Sequence, residues 1–183
     1  MALERKKTLN VFKDAARASG SYDEFPVGPK GTDPMPHLSC SRVPQPFYVV
    51  NAADQVLIQM AGRAELRFAD FEPARMQLVP GDTVYIPAGV PSRVVPDGEV
   101  LQLRLKAEPP AMEAVAWYCD CGALVHTREL VDAILQEGYW RAVHEFNADE
   151  RLRTCARCRA VHPVAELGDI AWPEVAAALR ADG

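Results

Sequence analysis

The chain has 183 residues, a formal net charge of -5 and a hydrophobic fraction of 49%. This length suits one domain with a small appendage, and the composition excludes a disordered or fibrous protein. The acidic balance argues against nucleic-acid binding. No apolar run approaches the ~18 residues of a membrane helix, and no signal-peptide core follows Met1. We therefore expect a cytoplasmic protein that does not associate with membranes.

The first half of the chain predicts one helix and then a set of short strands. Apolar spacing over Thr8–Ala18 favours a helix, and a proline-rich, extended segment runs from Phe25 to Pro46. Turn residues then recur about every ten positions, as at Ala61-Gly62 and Pro96-Asp97-Gly98, which favours a small antiparallel barrel or sandwich. The predicted strands are Phe47–Val50, Gln55–Met60, Ala64–Phe68, Arg75–Val79, Thr83–Ile86 and Val100–Leu105.

The pattern changes after Pro109-Pro110, where two helices are predicted. Thr127–Phe146 carries one broad apolar face, and a last helix is expected to start near Pro173, since proline is favoured at the first helical position. We divide the chain into residues 1–110, a barrel with its N-terminal helix, and residues 111–183, a smaller module with a linking helix and a C-terminal helix.

Four of the five cysteines form two close pairs, Cys119 with Cys121 and Cys155 with Cys158. Without a secretory signal, such pairs are typical of soft-metal ligands rather than of disulfides. Two converging pairs would give a tetrahedral four-thiolate site for zinc or for a rubredoxin-type iron, and a closed shell of this kind indicates one structural metal, with zinc favoured. The alternative is four free or oxidised thiols. Cys40 stands alone and is expected to be a small buried apolar residue.

The predicted barrel carries the turns of a cupin without its metal-binding residues. The second cupin motif is matched in spacing by Gly81, Pro87, Gly89 and Ser92, with Ser92 where the motif has a histidine. Gln55, separated from Gly62 by six residues, takes the place of the glutamate ligand of the first motif. The two histidine-type positions upstream fall on Val49 and Asn51.

From about Leu9 to Pro163 the chain resembles the bacterial 3-hydroxyanthranilate 3,4-dioxygenases, in which a cupin precedes a rubredoxin-like metal knuckle. The resemblance implies a mainly β fold, namely a small barrel or jelly roll with a C-terminal four-cysteine knuckle and a few helices, and it implies a homodimer. The matching segments are Gln59-Met60-Ala61-Gly62, Val79-Pro80-Gly81-Asp82, Ile86-Pro87-Ala88-Gly89-Val90-Pro91, Trp117-Tyr118-Cys119 and Leu152-Arg153-Thr154-Cys155.

Family members hold catalytic iron with two histidines and one glutamate, beside an aromatic substrate whose ring is cleaved with oxygen. The positions of these ligands are occupied here by Val49, Gln55 and Ser92. Valine cannot ligate a metal, and a neutral amide or hydroxyl is a poor ligand for iron(II), so we expect no catalytic iron. The two substrate-binding arginines of the family fall near Gln45 and Pro96, and a late glutamate falls near Arg104.

The leading hypothesis is that the barrel binds a small aromatic or heteroaromatic acid without iron, with or without transforming it. One rival is a non-catalytic binding or scaffold homodimer. Another is a ring-cleaving dioxygenase that recruits His37, Cys40 or Asp54 as unorthodox iron ligands. Arg104 inside a barrel would need an acid, such as Glu108, Asp54 or a ligand carboxylate. The candidate ligand-binding residues, all but Gln45 expected to point inward, are Gln45, Tyr48, Asn51, Gln55, Ser92 and Arg104.

Overall fold

The computed structural model describes residues 10–13, 21–70, 72–108 and 111–181. Residues 11–13 are helical, and the rest of the predicted helix Thr8–Ala18 lies outside the described residues apart from residue 10. The strands are β1 Tyr22–Pro26, β2 Met35–Ser41, β3 Tyr48–Asn51, β4 Gln55–Phe68, β5 Arg75–Leu78, β6 Thr83–Ile86, β7 Ser92–Lys106, β8 Glu113–Tyr118 and β9 Leu124–Leu130. The helices that follow are α1 Leu135–Ala148, α2 Glu150–Arg153 and α3 Trp172–Ala181.

The strands form one antiparallel sheet that curls around the long strand β7. The strand order is β1-β2-β7-β3-β8-β9, while β4 pairs with β7 and also carries β5 and β6. Two long strands, β4 and β7, run side by side over most of their length, which lets each contribute to both ends of the barrel. This mainly β, cupin-type architecture, with helices and a cysteine cluster behind it, confirms the predicted fold class.

Two predicted turns are wrong, because the chain continues as strand through both. β4 passes through Gly62 with register shifts between Gln59 and Ala61 and between Ala61 and Arg63, so this stretch is a bulge rather than a reversal. Gly62 has φ +71°, and a Cβ built there would lie 2.1 Å from the backbone oxygen of Glu99. Pro96-Asp97-Gly98 likewise lies inside β7, opposite the second half of β4. Cross-strand pairing overrides the local turn preference at both sites.

The predicted helix Thr127–Phe146 is wrong in its first part. Residues up to Leu130 form β9, which pairs with the edge of β8, and the helix begins only at Leu135. The open hydrogen-bonding edge of β8, the strand that precedes it in the chain, decides between strand and helix there. β1 and β2 were also missed inside the proline-rich segment. The last helix is confirmed, with Pro173 in its first turn.

Helices α1 and α3 cover the inner face of β3 and β8 rather than standing apart from the barrel. Their shared core includes Phe47, Trp117, Tyr139, Phe146 and Trp172. The ring of Phe47 stacks on Trp172, and that of Trp117 on Phe146, at centroid distances of 5.7 and 4.1 Å. The proposed division at residue 110 falls between β7 and β8, and β8 extends the barrel sheet through β3. No helix among the described residues is long and apolar enough to cross a membrane.

Candidate functional site: a charged barrel interior and a four-cysteine cluster

Strand alternation brings the positions of the family's iron ligands to the inner face of the barrel. Val49 on β3 lies directly opposite Ser92 on β7, and Gln55 begins β4. All three side chains are buried, as is that of Asn51. Tyr48 does not follow the inward prediction: it alternates with Val49 along β3 and lies half-buried on the outer face. The ligand-binding role of these residues stays a prediction.

Arg104 points into the barrel, and its acidic partner is Glu24, which the sequence reasoning did not identify. Its Nε lies 2.9 Å from Glu24 Oε1, and its Nη1 donates to Gln55 Oε1 at 2.8 Å. Both members of the ion pair are almost fully buried. Asp54, one of the expected partners, lies in an exposed loop, where its carboxylate accepts the backbone N–H of Ala88 at 2.9 Å; a contact of Arg104 with Glu108 stays a prediction.

A second cation, Lys106, connects Glu24 to another buried acid, Glu113. Its Nζ pairs with Glu24 and lies 2.6 Å from Glu113 Oε2. Asn51 Nδ2 donates to the same oxygen at 3.0 Å, and the hydroxyl of Tyr139 on α1 donates to Glu113 Oε1. The interior therefore contains two acids and two bases in one hydrogen-bonded network, which satisfies the rule that buried charges must be paired.

The electrostatics of the network favour its ionised form. Burial by itself raises the pKa of Glu24, but the charges of Lys106, Arg104 and His37 together lower it from 4.5 to about 2. Burial lowers the pKa of Lys106, yet the attraction of Glu113 and Glu24 outweighs it, so the net shift is upward. Glu24 and Lys106 are thus both charged at neutral pH.

The sequence reasoning missed Glu24, Lys106, Glu113 and Tyr139 as interior residues. A signal for part of the network exists in β7, where Gln102, Arg104 and Lys106 alternate with leucines at a period of two. Polar residues in the inward phase of an otherwise apolar strand indicate a buried polar ladder. Gln102 Nε2 accordingly donates to Gln59 Oε1 on β4 at 2.7 Å.

Gln45, near a position where the family has an arginine, lines a very small cavity. Its Oε1 accepts the backbone N–H of Val94 at 3.1 Å, whereas its Nε2 has no hydrogen-bond partner among the described residues. The indole N–H of Trp172, on the same cavity, also lacks one. The cavity measures about 20 Å³, which is room for about one water molecule and not for an aromatic ring.

The four predicted cysteine ligands converge. Cys119 and Cys121 follow β8, Cys155 and Cys158 follow α2, and the four Sγ atoms all lie within 4.8 Å of one another. Each pair sits on a tight turn. The N–H of Gly122, at φ +81°, donates to Cys119 O at 2.8 Å, so glycine is suited to the first turn.

This cluster has the donor set and spacing of a metal site. Sγ–Sγ distances are 3.5 Å between Cys119 and Cys158 and 3.7 Å between Cys121 and Cys155, close to the edges of a tetrahedral thiolate shell. The backbone N–H of Cys158 is the main reason that the pKa of Cys155 falls to about 6. Four such sulfurs can hold a metal ion.

The alternative iron ligands do not assemble. Among the described residues, the four cysteines are the one group of three or more histidine, cysteine or acidic side chains whose ligand atoms converge. His37 lies on the inner face opposite Arg104, whereas Asp54 is at an exposed loop and Cys40 packs with a separate apolar cluster.

The fold and the cysteine cluster define the class of protein, a cupin-type barrel with four cysteines that could hold a metal ion. The chain resembles the 3-hydroxyanthranilate 3,4-dioxygenases. It is 28% identical to that of Brucella anthropi over 123 residues, 63% of this chain and 68% of the relative. It is 38% identical to that of a Jannaschia species over 64 residues, 34% and 36% of the two chains, and 30% identical to that of Aspergillus niger over 124 residues, 62% and 66%.

Two further comparisons concern family models and solved structures. No protein-family model matches the chain. A cupin-2 domain containing protein from Shewanella frigidimarina superposes with a TM-score of 0.48 at 18% identity, covering 56% of this chain and 96% of that one. Hydroquinone 1,2-dioxygenase from a Sphingomonas species, with 4-hydroxybenzoate bound, gives a TM-score of 0.46 at 21% identity and covers 54% and 72%.

Proposed function

We propose that this protein is a dioxygenase-like cupin that binds a small aromatic or heteroaromatic acid without catalytic iron. The resemblance to 3-hydroxyanthranilate dioxygenases supports the class of ligand, since those relatives are named for an aromatic amino acid substrate.

The contact between Arg104 and Gln55 is the main observation that argues against iron binding in the barrel. The guanidinium donates to the side chain at the family's glutamate position and is held there by Glu24. A divalent cation beside Gln55 would meet this fixed positive charge, with Val49 and Ser92 as the remaining neighbours. Repulsion between like charges in a poorly solvated interior opposes iron binding there.

The four-cysteine cluster is proposed to hold one structural zinc. A complete thiolate shell leaves no position for substrate or oxygen, so the metal would stabilise the fold of the knuckle rather than act in chemistry. We further propose that the protein is a cytoplasmic homodimer, on the strength of the resemblance.

Metal content and oxygen consumption test the absence of iron. Protein purified with and without added ferrous salt is expected to contain one metal per chain and to consume no oxygen with 3-hydroxyanthranilate. The Cys158→Ser variant should lose that metal. A second bound iron that survives in Cys158→Ser, together with loss of the aromatic absorbance of the substrate, would contradict the proposal.

A second candidate is a non-catalytic scaffold, and a specific observation favours it. The interior acids and bases are paired with one another, and the cavity beside Gln45 accommodates only about one water molecule. Thermal denaturation with millimolar 3-hydroxyanthranilate separates the two candidates. A rise in melting temperature supports the binding protein, and no rise with any aromatic acid supports the scaffold.

A further inference from the structure

A much larger cleft lies on the outer face of the barrel sheet, beside the cysteine cluster. Its volume is about 620 Å³, within the range of small-molecule sites. Strand residues form its floor, and Cys119, Asp120 and His162 of the knuckle form one wall. A second cavity of about 420 Å³ adjoins it and shares Arg93 and His162 with it.

The floor of the cleft is a row of side chains, one from each of five neighbouring strands. Tyr118 on β8, Tyr48 on β3, Arg93 on β7, Arg67 on β4 and Arg75 on β5 all line it. The two tyrosine rings meet edge to face, with centroids 5.2 Å apart. The row therefore offers aromatic surface at one end and guanidinium groups at the other, a combination suited to an aromatic anion.

Arg93 is the arginine of this row that a hydrogen bond holds in place and that has no acidic partner among the described residues. Its Nε donates to the backbone oxygen of Gln45 at 2.6 Å, and no carboxylate among the described residues pairs with it. Burial lowers the pKa of Arg93, so the charged group is partly withdrawn from water. Arg67 lies directly opposite it in the sheet and is already paired with Glu65.

The charges of the cleft favour one negative charge on a ligand rather than several. Arg67, Arg75 and Arg93 line it together with Asp70 and Asp120, and Glu65 neutralises Arg67. Like charges directly opposite one another in a sheet are destabilising, so an anion placed at Arg93 would relieve its contact with Arg67. A ligand with several negative charges would be repelled by Asp70 and Asp120.

We propose that the aromatic acid binds in this outer cleft and not inside the barrel, with its carboxylate on Arg93 and its ring against Tyr48 and Tyr118. The inference rests on the proposed ligand class and adds the site. The volumes support this placement. The cavity beside Gln45, at about 20 Å³, is too small for an aromatic ring, whereas the outer cleft measures about 620 Å³. Such guanidinium–carboxylate pairs are among the stronger hydrogen bonds of proteins.

Calorimetric titration with 3-hydroxyanthranilate at pH 7 tests the site. The Arg93→Met variant is expected to weaken binding at least tenfold, and Tyr48→Leu about fivefold or more. Arg63→Met is the matched control: Arg63 is an exposed arginine of the same strand as Arg67 and does not line the cleft. Ser39→Val, which fills the small cavity, should leave binding unchanged. Melting temperatures show that each variant is folded.

Failure of the proposed site and failure of the proposed function give different results in this titration. If Ser39→Val weakens binding while Arg93→Met does not, the outer site is wrong and the barrel site stands, with the proposed function intact. If the wild-type protein binds neither 3-hydroxyanthranilate nor benzoate, both proposals fail. Equal affinity for benzoate and cyclohexanecarboxylate would refute the role of the tyrosines, since only an aromatic ring gains from edge-to-face contact.

Discussion

Replacing Glu24 by glutamine removes one of two negative charges inside the barrel while keeping the size of the side chain. Arg104 would then lose the Glu24 carboxylate while its hydrogen bond to Gln55 remains, and Lys106 would lose Glu24 and retain Glu113. Breaking a buried pair in this way leaves a charge uncompensated, which is strongly destabilising.

The expected magnitude follows from the pKa of Glu24, which is about 2 in the folded protein against 4.5 for an ordinary glutamate carboxyl group. Because the folded value is depressed, this stabilisation is complete above pH 4.5 and is lost as the pH falls through 2. A difference of about 2.5 units corresponds to about 3 kcal/mol at pH 7 and to about 1.5 kcal/mol at pH 3.

Urea denaturation of the Glu24→Gln variant and the wild type at both pH values measures this difference. We expect the variant to lose about 3 kcal/mol of unfolding free energy at pH 7, roughly 6–12 °C in melting temperature, and distinctly less at pH 3. Glu99→Gln is the control, since Glu99 forms an exposed pair with Arg42 and should cost less than about 1 kcal/mol. A loss that is below 1 kcal/mol at pH 7, or that does not shrink at pH 3, would refute the assignment of Glu24 as the ionised partner of the interior cations.

Two pairs of substitutions, each a test variant with its control, probe the bulge at Gly62 and the four-cysteine cluster. Gly62→Ala should destabilise the fold by about 3 kcal/mol or more in thermal denaturation, because its Cβ would lie 2.1 Å from Glu99 O at a positive φ. Gly98→Ala, also at positive φ but with open space around it, should cost only about 1–2 kcal/mol, and equal losses would argue against the steric account. Cys155→Ser should release the metal and lower the melting temperature, whereas Cys40→Ser should retain the metal; retention in both variants would exclude the four-cysteine site.

The sequence by itself determined the features that depend on local spacing. The two cysteine pairs carry their own ligand geometry, so their role could be predicted before the turns at Gly122 and after Cys155 were seen. The alternation of β3 was enough to place Val49 and Asn51 on one face and Tyr48 on the other, although Tyr48 and Asn51 were both expected to point inward. The resemblance to the dioxygenases also came from short matching segments of sequence.

Only the tertiary structure decided which distant residues meet. Glu24 on β1 reaches Arg104 on β7 because both strands lie beside β2 in the sheet. No local pattern in the sequence specifies this strand order. Tyr139 reaches Glu113 because α1 packs across β8. Leu124–Leu130 becomes a strand because the edge of β8 offers hydrogen bonds that a helix there would leave unused. The first two outcomes depend on contacts between segments far apart in the chain, and the third on pairing with the preceding strand. The free energy of such tertiary contacts outweighs the local preferences that a sequence pattern records.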